Sequence, residues 1–76
     1  MAEQPKPHLV KRSVTLGGHR TSVALEAIFW DEIDRIAMDR EQSVSALINT
    51  IDRKRRAEQN LASSLRILVV ESLRQG

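Results

Sequence analysis

A mainly α chain with one short β ribbon is the fold class this sequence predicts, and three observations predict it. Residues 19–25 alternate between outward polar or small side chains and inward ones ending in Val23 and Leu25, the period of a half-buried strand. Two segments with helical apolar spacing follow it directly. A third apolar segment begins after Asn60. A lone strand cannot satisfy its own backbone, and a two-stranded ribbon is only marginally stable in water. The strand therefore needs a partner, and a second copy of the chain is the simplest source.

Size points the same way. The chain has 76 residues, enough for one small domain, and chains this short usually need disulfides, a metal or oligomerisation. It has no cysteine, which removes disulfides and thiolate metal sites together. The two histidines, His8 and His19, have no carboxylates at ligand spacing, so neither a metal site nor a cofactor is expected. Oligomerisation remains. The opening residues are polar and lack the apolar core of a signal peptide, and no run of eighteen apolar residues occurs. The expectation is a cytoplasmic protein without a membrane span.

Net charge is only +2, so its distribution says more. Residues 1–20 carry four basic side chains against one acid, residues 21–50 two against six, and residues 51–76 six against three. A basic segment leading into the strand suits a polyanion.

Residues 1–10 hold two prolines and no periodic pattern, and are expected to form a flexible arm ahead of a domain at 11–76. Residues 11–16 alternate, with Val14 and Leu16 on one face and Lys11, Ser13 and Thr15 on the other. Gly17-Gly18 is a two-residue hairpin signal. Such a hairpin would pair Leu16 with His19 and Val14 with Thr21 and superpose the apolar faces. An extended arm ordered only on a partner fits this stretch as well.

The first helix is expected over about residues 27–40, with Phe29, Ile33, Ile36 and Ala37 as its apolar stripe. Acids in its first turn would suit the helix N-terminus. Trp30, beside the stripe, reads as a boundary or interface anchor. Ser43 caps a second helix running to about Ala57, whose inner face is Val44, Leu47, Ile48 and Ile51. Arg53-Lys54-Arg55-Arg56 crowds its end, where cations complement the helix dipole; this reads as a solvated cluster, with flanking DNA or an acidic partner as alternatives. Asn60 caps a third helix over 61–75. Leu61, Leu65, Leu68, Val69 and Leu73 form one face of it and Ile67 and Val70 a second edge, so it should pack on its own protomer and on another element.

From Arg20 to about Arg56, strand, amphipathic helix, short turn and Ser43-Val-Ser-Ala-Leu-Ile48 resemble the ribbon-helix-helix family, the MetJ/Arc-type repressor superfamily. Lys11-Arg-Ser-Val-Thr-Leu-Gly-Gly-His-Arg-Thr-Ser-Val-Ala-Leu-Glu26, Phe29-Trp30 and Asn60-Leu-Ala-Ser-Ser-Leu-Arg66 look like short bacterial members with an added C-terminal helix. The resemblance implies an intertwined homodimer whose strands pair antiparallel and enter the major groove of double-stranded DNA. Carried over by position, Arg20, Ser22 and Ala24 would face base edges, and the amides of Ser43 and Val44 would hold a phosphate. Lys11 and Arg12 are expected to contact the DNA backbone. In place of the glycine common in the helix–helix turn, the chain has Arg40-Glu41-Gln42, so one residue there should take φ > 0 at a cost of roughly 1 kcal/mol.

The expected function is that of a homodimeric DNA-binding transcriptional regulator. The alternative is an antitoxin-like or adaptor module that docks another protein, or further copies of itself, through the C-terminal helix. No catalytic residues are expected: cysteine nucleophile, glycine-rich phosphate loop and acid–base histidine constellation are all missing from the sequence.

Overall fold

A computed structural model describes residues 8–75, so most of the expected N-terminal arm lies outside the described residues. The chain runs β1 (Leu9–Leu16), β2 (His19–Glu26), α1 (Ala27–Asp39), α2 (Val44–Lys54) and α3 (Leu61–Gln75). β1 begins slightly ahead of the domain boundary expected at residue 11.

The two strands form an antiparallel hairpin in which Leu16 faces His19 and Val14 faces Thr21. Gly17 and Gly18 take φ of 55° and 85°, the positive values that a type I′ turn needs at both central positions. The hairpin reading is therefore the correct one, and β2 has its first mate within its own chain. In such a hairpin the pair flanking the loop is hydrogen-bonded, and bonded and non-bonded pairs alternate from there. His19, Thr21, Val23 and Leu25 thus turn their backbone groups toward β1. Arg20, Ser22 and Ala24 turn theirs away, along the free edge of β2.

α1 follows β2 without a loop. Its N-cap, Glu26, has extended dihedrals but makes no side-chain cap bond, and no acid lies in the first turn, contrary to expectation. The apolar stripe is also shifted. Trp30, Ile33, Ile36 and Ala37 are buried, whereas Phe29 is half-buried at the margin of the core. Trp30, expected at a boundary, is 1% exposed. A helix entered directly from the strand takes its phase from the strand, and that phase points residue 30 under the sheet.

The end of α1 explains how the turn works without glycine. The N–H of Gln42 donates to the carbonyl of Ala37 at 2.9 Å and that of Glu41 to Met38 at 3.0 Å, the bond pair of a Schellman cap. Glu41 occupies its left-handed position with φ 54°. Ser43 then caps α2, its Oγ accepting from the Ala46 N–H at 3.0 Å. α2 ends at Lys54, short of Ala57, because Arg55 is already extended. The Arg55 guanidinium holds the following turn by donating to Asp52 Oδ1 and to the Gln59 carbonyl, each at 2.8 Å. Asn60 caps α3 as expected, accepting from the Ser63 N–H at 2.8 Å.

The three helices pack on one face of the hairpin. Leu25, Trp30, Ile33, Leu47, Ile48, Leu65 and Val69 are fully buried between them. Ile36 and Ile48, on the expected apolar faces of α1 and α2, are closed over by one chain alone. Leu73 departs from its expected inward face and is 56% exposed, alongside exposed Ile67 and Val70.

Candidate nucleic-acid interface

The sheet has two chemically opposite faces. The inner face carries Val14, Val23 and Leu25 into the core. The outer face sets Lys11 opposite Ala24, Ser13 opposite Ser22, and Thr15 opposite Arg20. All six lie at the surface, with Ala24 the only one half-buried. Their side chains are cationic, hydroxylic or methyl. The one carboxylate on the β2 side, Glu26, sits at the far end and is held by Arg66 at 2.8 Å. Its own backbone amide and then Arg66 keep that carboxyl below the usual range, so it stays ionised and paired.

Lys11, Arg20, Ser22 and Ala24 therefore come together on one surface. Arg12 does not join them. Strand parity puts it on the inner side, where its guanidinium makes a two-pronged bond to Asp34 at 2.8 and 3.0 Å. It also lies over the Trp30 ring, 4.6 Å from the centroid. The bond to Asp34 raises the Arg12 pKa and lowers that of Asp34, as expected for a charge-assisted fork. The phosphate contact expected of Arg12 would require this fork to open. Alternation alone signalled the placement, since Arg12 shares parity with Val14 and Leu16.

Ser43 and Val44 stand at the start of α2, away from the strands in sequence. The Ser43 hydroxyl is used as an acceptor in its own cap. The first N–H groups of a helix have no intrahelical acceptor, and at α2 they open onto a surface where Ser43 is exposed.

Polar side chains of α1 and α2 hold β1 at both ends. Asn49 of α2 closes the tip of β1: its amide donates to the Thr15 carbonyl at 2.6 Å and its Oδ1 accepts from the Gly17 N–H at 3.1 Å. At the other end the Trp30 indole N–H donates to the Val10 carbonyl at 2.7 Å. On β2, among the described residues, no side chain bonds the outward backbone groups of Arg20, Ser22 or Ala24. A cleft of about 580 Å³ runs beside that edge, with Thr21, Val23 and Ala24 on one wall and Asp52, Arg55 and Leu61 on the other. The sequence set Ser13 and Thr15 on the face of Lys11 without assigning them a role, and nothing local marks Asn49.

Among the described residues no group of histidine and carboxylate side chains could hold a metal, and no helix is long and apolar enough to cross a membrane. Nothing among curated proteins matches the chain. Its structure is similar to that of an uncharacterized protein from Bordetella pertussis Tohama I, with a TM-score of 0.73 and 32% sequence identity. The likeness covers 95% of this chain but 61% of that one, so this chain spans less than two thirds of that protein. The model of the ribbon-helix-helix domain matches residues 9–73, from the first residue of β1 into the last turns of α3. With hairpin, helix pair and third helix all inside that match, the chain belongs to the ribbon-helix-helix domain family.

Proposed function

We propose that the protein is a cytoplasmic transcriptional regulator that binds double-stranded DNA as a homodimer. Ribbon-helix-helix domains are a DNA-binding, regulator-type family, and the observation that carries the reading here is the open edge of β2. It leaves backbone donors and acceptors unpaired beside a cleft with room for another strand. A second copy meets it antiparallel about a two-fold axis, with Ser22 opposite its own copy and Arg20 opposite the partner's Ala24. The paired strands then present Arg20, Ser22 and Ala24 from each chain to the major groove, which admits a two-stranded ribbon. Arginine reads guanine through a two-pronged bond, serine is permissive, and the Ala24 methyl suits a thymine methyl. The amides of Ser43 and Val44 hold a phosphate at the positive end of α2, and Lys11 contacts the backbone.

A second reading draws on α3. Val70 and Leu73 are exposed beside Ile28, which is 70% exposed, with exposed Ile67 one turn before Val70 on α3, and this apolar strip would serve an adaptor that docks another protein. Salt dependence separates the two, because phosphate neutralisation weakens steeply with salt and apolar docking does not.

The direct test is selection of bound fragments from a random duplex pool, followed by measurement on the selected duplex and a scrambled one. Arg20→Ala should reduce discrimination between them by about 1–3 kcal/mol. Equal loss on both duplexes would mean that Arg20 holds phosphate and reads no base. Absence of any enriched half-site would favour the adaptor. The dimer is tested by Ser22→Pro, which deletes an outward N–H that the single-chain fold does not use. Circular dichroism should remain native while sedimentation shifts to the monomer; a dimer that persists would place the interface elsewhere.

A further inference from the structure

We infer that the outer face of β1 is a phosphate-binding rail, in which Lys11, Ser13 and Thr15 grip the DNA backbone along each rim of the groove. The inference rests on the dimeric DNA-binding reading above and assigns β1 a task distinct from that of β2.

The argument is one of width. Neighbouring strands lie about 4.8 Å apart. When two β2 strands pair about a two-fold axis, each lies about 2.4 Å from it, and each β1 about 7 Å from it. The major groove is about 12 Å wide, so its rims stand about 6 Å from the same axis. The β2 pair fits between the rims, and the β1 strands lie over them. A side chain leaving the outer face of β1 therefore meets sugar and phosphate, while its cross-strand neighbour on β2 meets bases.

The side chains on β1 match that placement. Lys11 supplies a cation, and Ser13 and Thr15 supply hydroxyl donors, the kinds of group that contact phosphate oxygens. All three are exposed, point to the same side as Arg20 and Ser22, and have no carboxylate among their cross-strand partners. The strand is also held rigidly. Asn49 fixes Thr15 and Gly17, Trp30 fixes Val10, and the Arg12–Asp34 fork fixes the stretch between them. A strand anchored at tip, middle and base loses little freedom on meeting DNA, which favours its use as a contact surface.

The test uses the full chain and the same two probes, a duplex selected from a random pool and its scrambled counterpart, at two or more salt concentrations. Ser13→Ala with Thr15→Ala should weaken binding to both duplexes by the same factor, roughly tenfold or more, because two hydrogen bonds to charged groups are lost from each chain. Lys11→Gln should flatten the logarithmic salt slope by about 1.8, since each dimer loses two phosphate contacts. Circular dichroism and sedimentation of each variant confirm that fold and dimer are kept. Loss confined to the selected duplex would make β1 a base reader and overturn the inference. Unchanged affinity and slope, with Arg20→Ala still impaired, would take β1 off the DNA and overturn it while leaving the regulator reading intact. If the wild-type protein binds neither duplex, the regulator reading fails and the rail falls with it.

Discussion

β1 and β2 are of equal length, share one hairpin and flank one core, yet they are held to the helices in different ways. β1 is tied to the helices by polar bonds at its tip, middle and base, through Asn49, Asp34 and Trp30. β2 buries Val23 and Leu25 and is held at its far end by the Glu26–Arg66 pair, and among the described residues no side chain bonds the outward backbone groups of Arg20, Ser22 or Ala24. An exposed edge invites pairing with another strand. On β1, among the described residues, Asn49 of α2 covers the Thr15 carbonyl next to the tip. What the contrast teaches is that polar contacts from α1 and α2 position β1, while the buried apolar side chains of both strands hold the fold together.

The strongest way to break the contrast is Trp30→Ala. It removes the ring under the sheet, the bond to the Val10 carbonyl and the surface on which Arg12 lies, and should cost about 3–5 kcal/mol in denaturant unfolding. A much smaller loss would show that β1 is not anchored through α1. Asn49→Ala acts at the other end. It deletes bonds to Thr15 and Gly17 at a partly exposed site and should cost about 1–2 kcal/mol. Amide exchange should rise at the hairpin tip and not in the interior of β2; uniform acceleration would mean that the hairpin opens as one unit.

Glu41→Gly calibrates the comparison, since it touches neither strand. Relief of the left-handed backbone, less the extra freedom of glycine in the unfolded chain, should raise stability by about 0.5–1 kcal/mol. An unchanged or lower melting temperature would show that the Glu41 backbone carries no strain. The smallest effect is acid sensitivity. Arg12 holds the Asp34 carboxyl below its ordinary value, so the pair contributes fully above about pH 4, the unfolded aspartate value, and is lost as pH falls through the folded one. Wild type should exceed Asp34→Asn in stability by less than about 1 kcal/mol near neutral pH, because both side chains are partly exposed. The two should converge in acid. A gap that persists at low pH would show that Asp34 acts through packing and not charge.

Local patterns carried much of this fold. Alternation on either side of Gly17-Gly18 implied the hairpin and its register, because side-chain period and turn chemistry both act within a few residues. Ser43 and Asn60 marked the starts of α2 and α3 through bonds that span three residues. The same locality made the outer face legible, since Arg20 must point away from the core whenever Val23 and Leu25 point into it. Parity with Val14 and Leu16 would have turned Arg12 inward as well, but its charge was read instead as a DNA contact.

The remainder depended on distant partners. Whether Phe29 or Trp30 entered the core was set by the phase in which α1 leaves β2, and helical spacing accommodates both. The Arg12–Asp34 fork joins residues 22 apart, and the bond from Asn49 to the Thr15 carbonyl joins residues 34 apart. Arg55 ended α2 early by bonding to a carbonyl in the turn beyond it. The sequence by itself determined the order of elements, the hairpin register and the composition of each strand face, because those follow from periods of two and 3.6 residues and from local capping. Only the tertiary structure decided that Asp34 holds Arg12 and that Asn49 holds the tip of β1, because each contact joins side chains and backbone that folding brings together from separate elements.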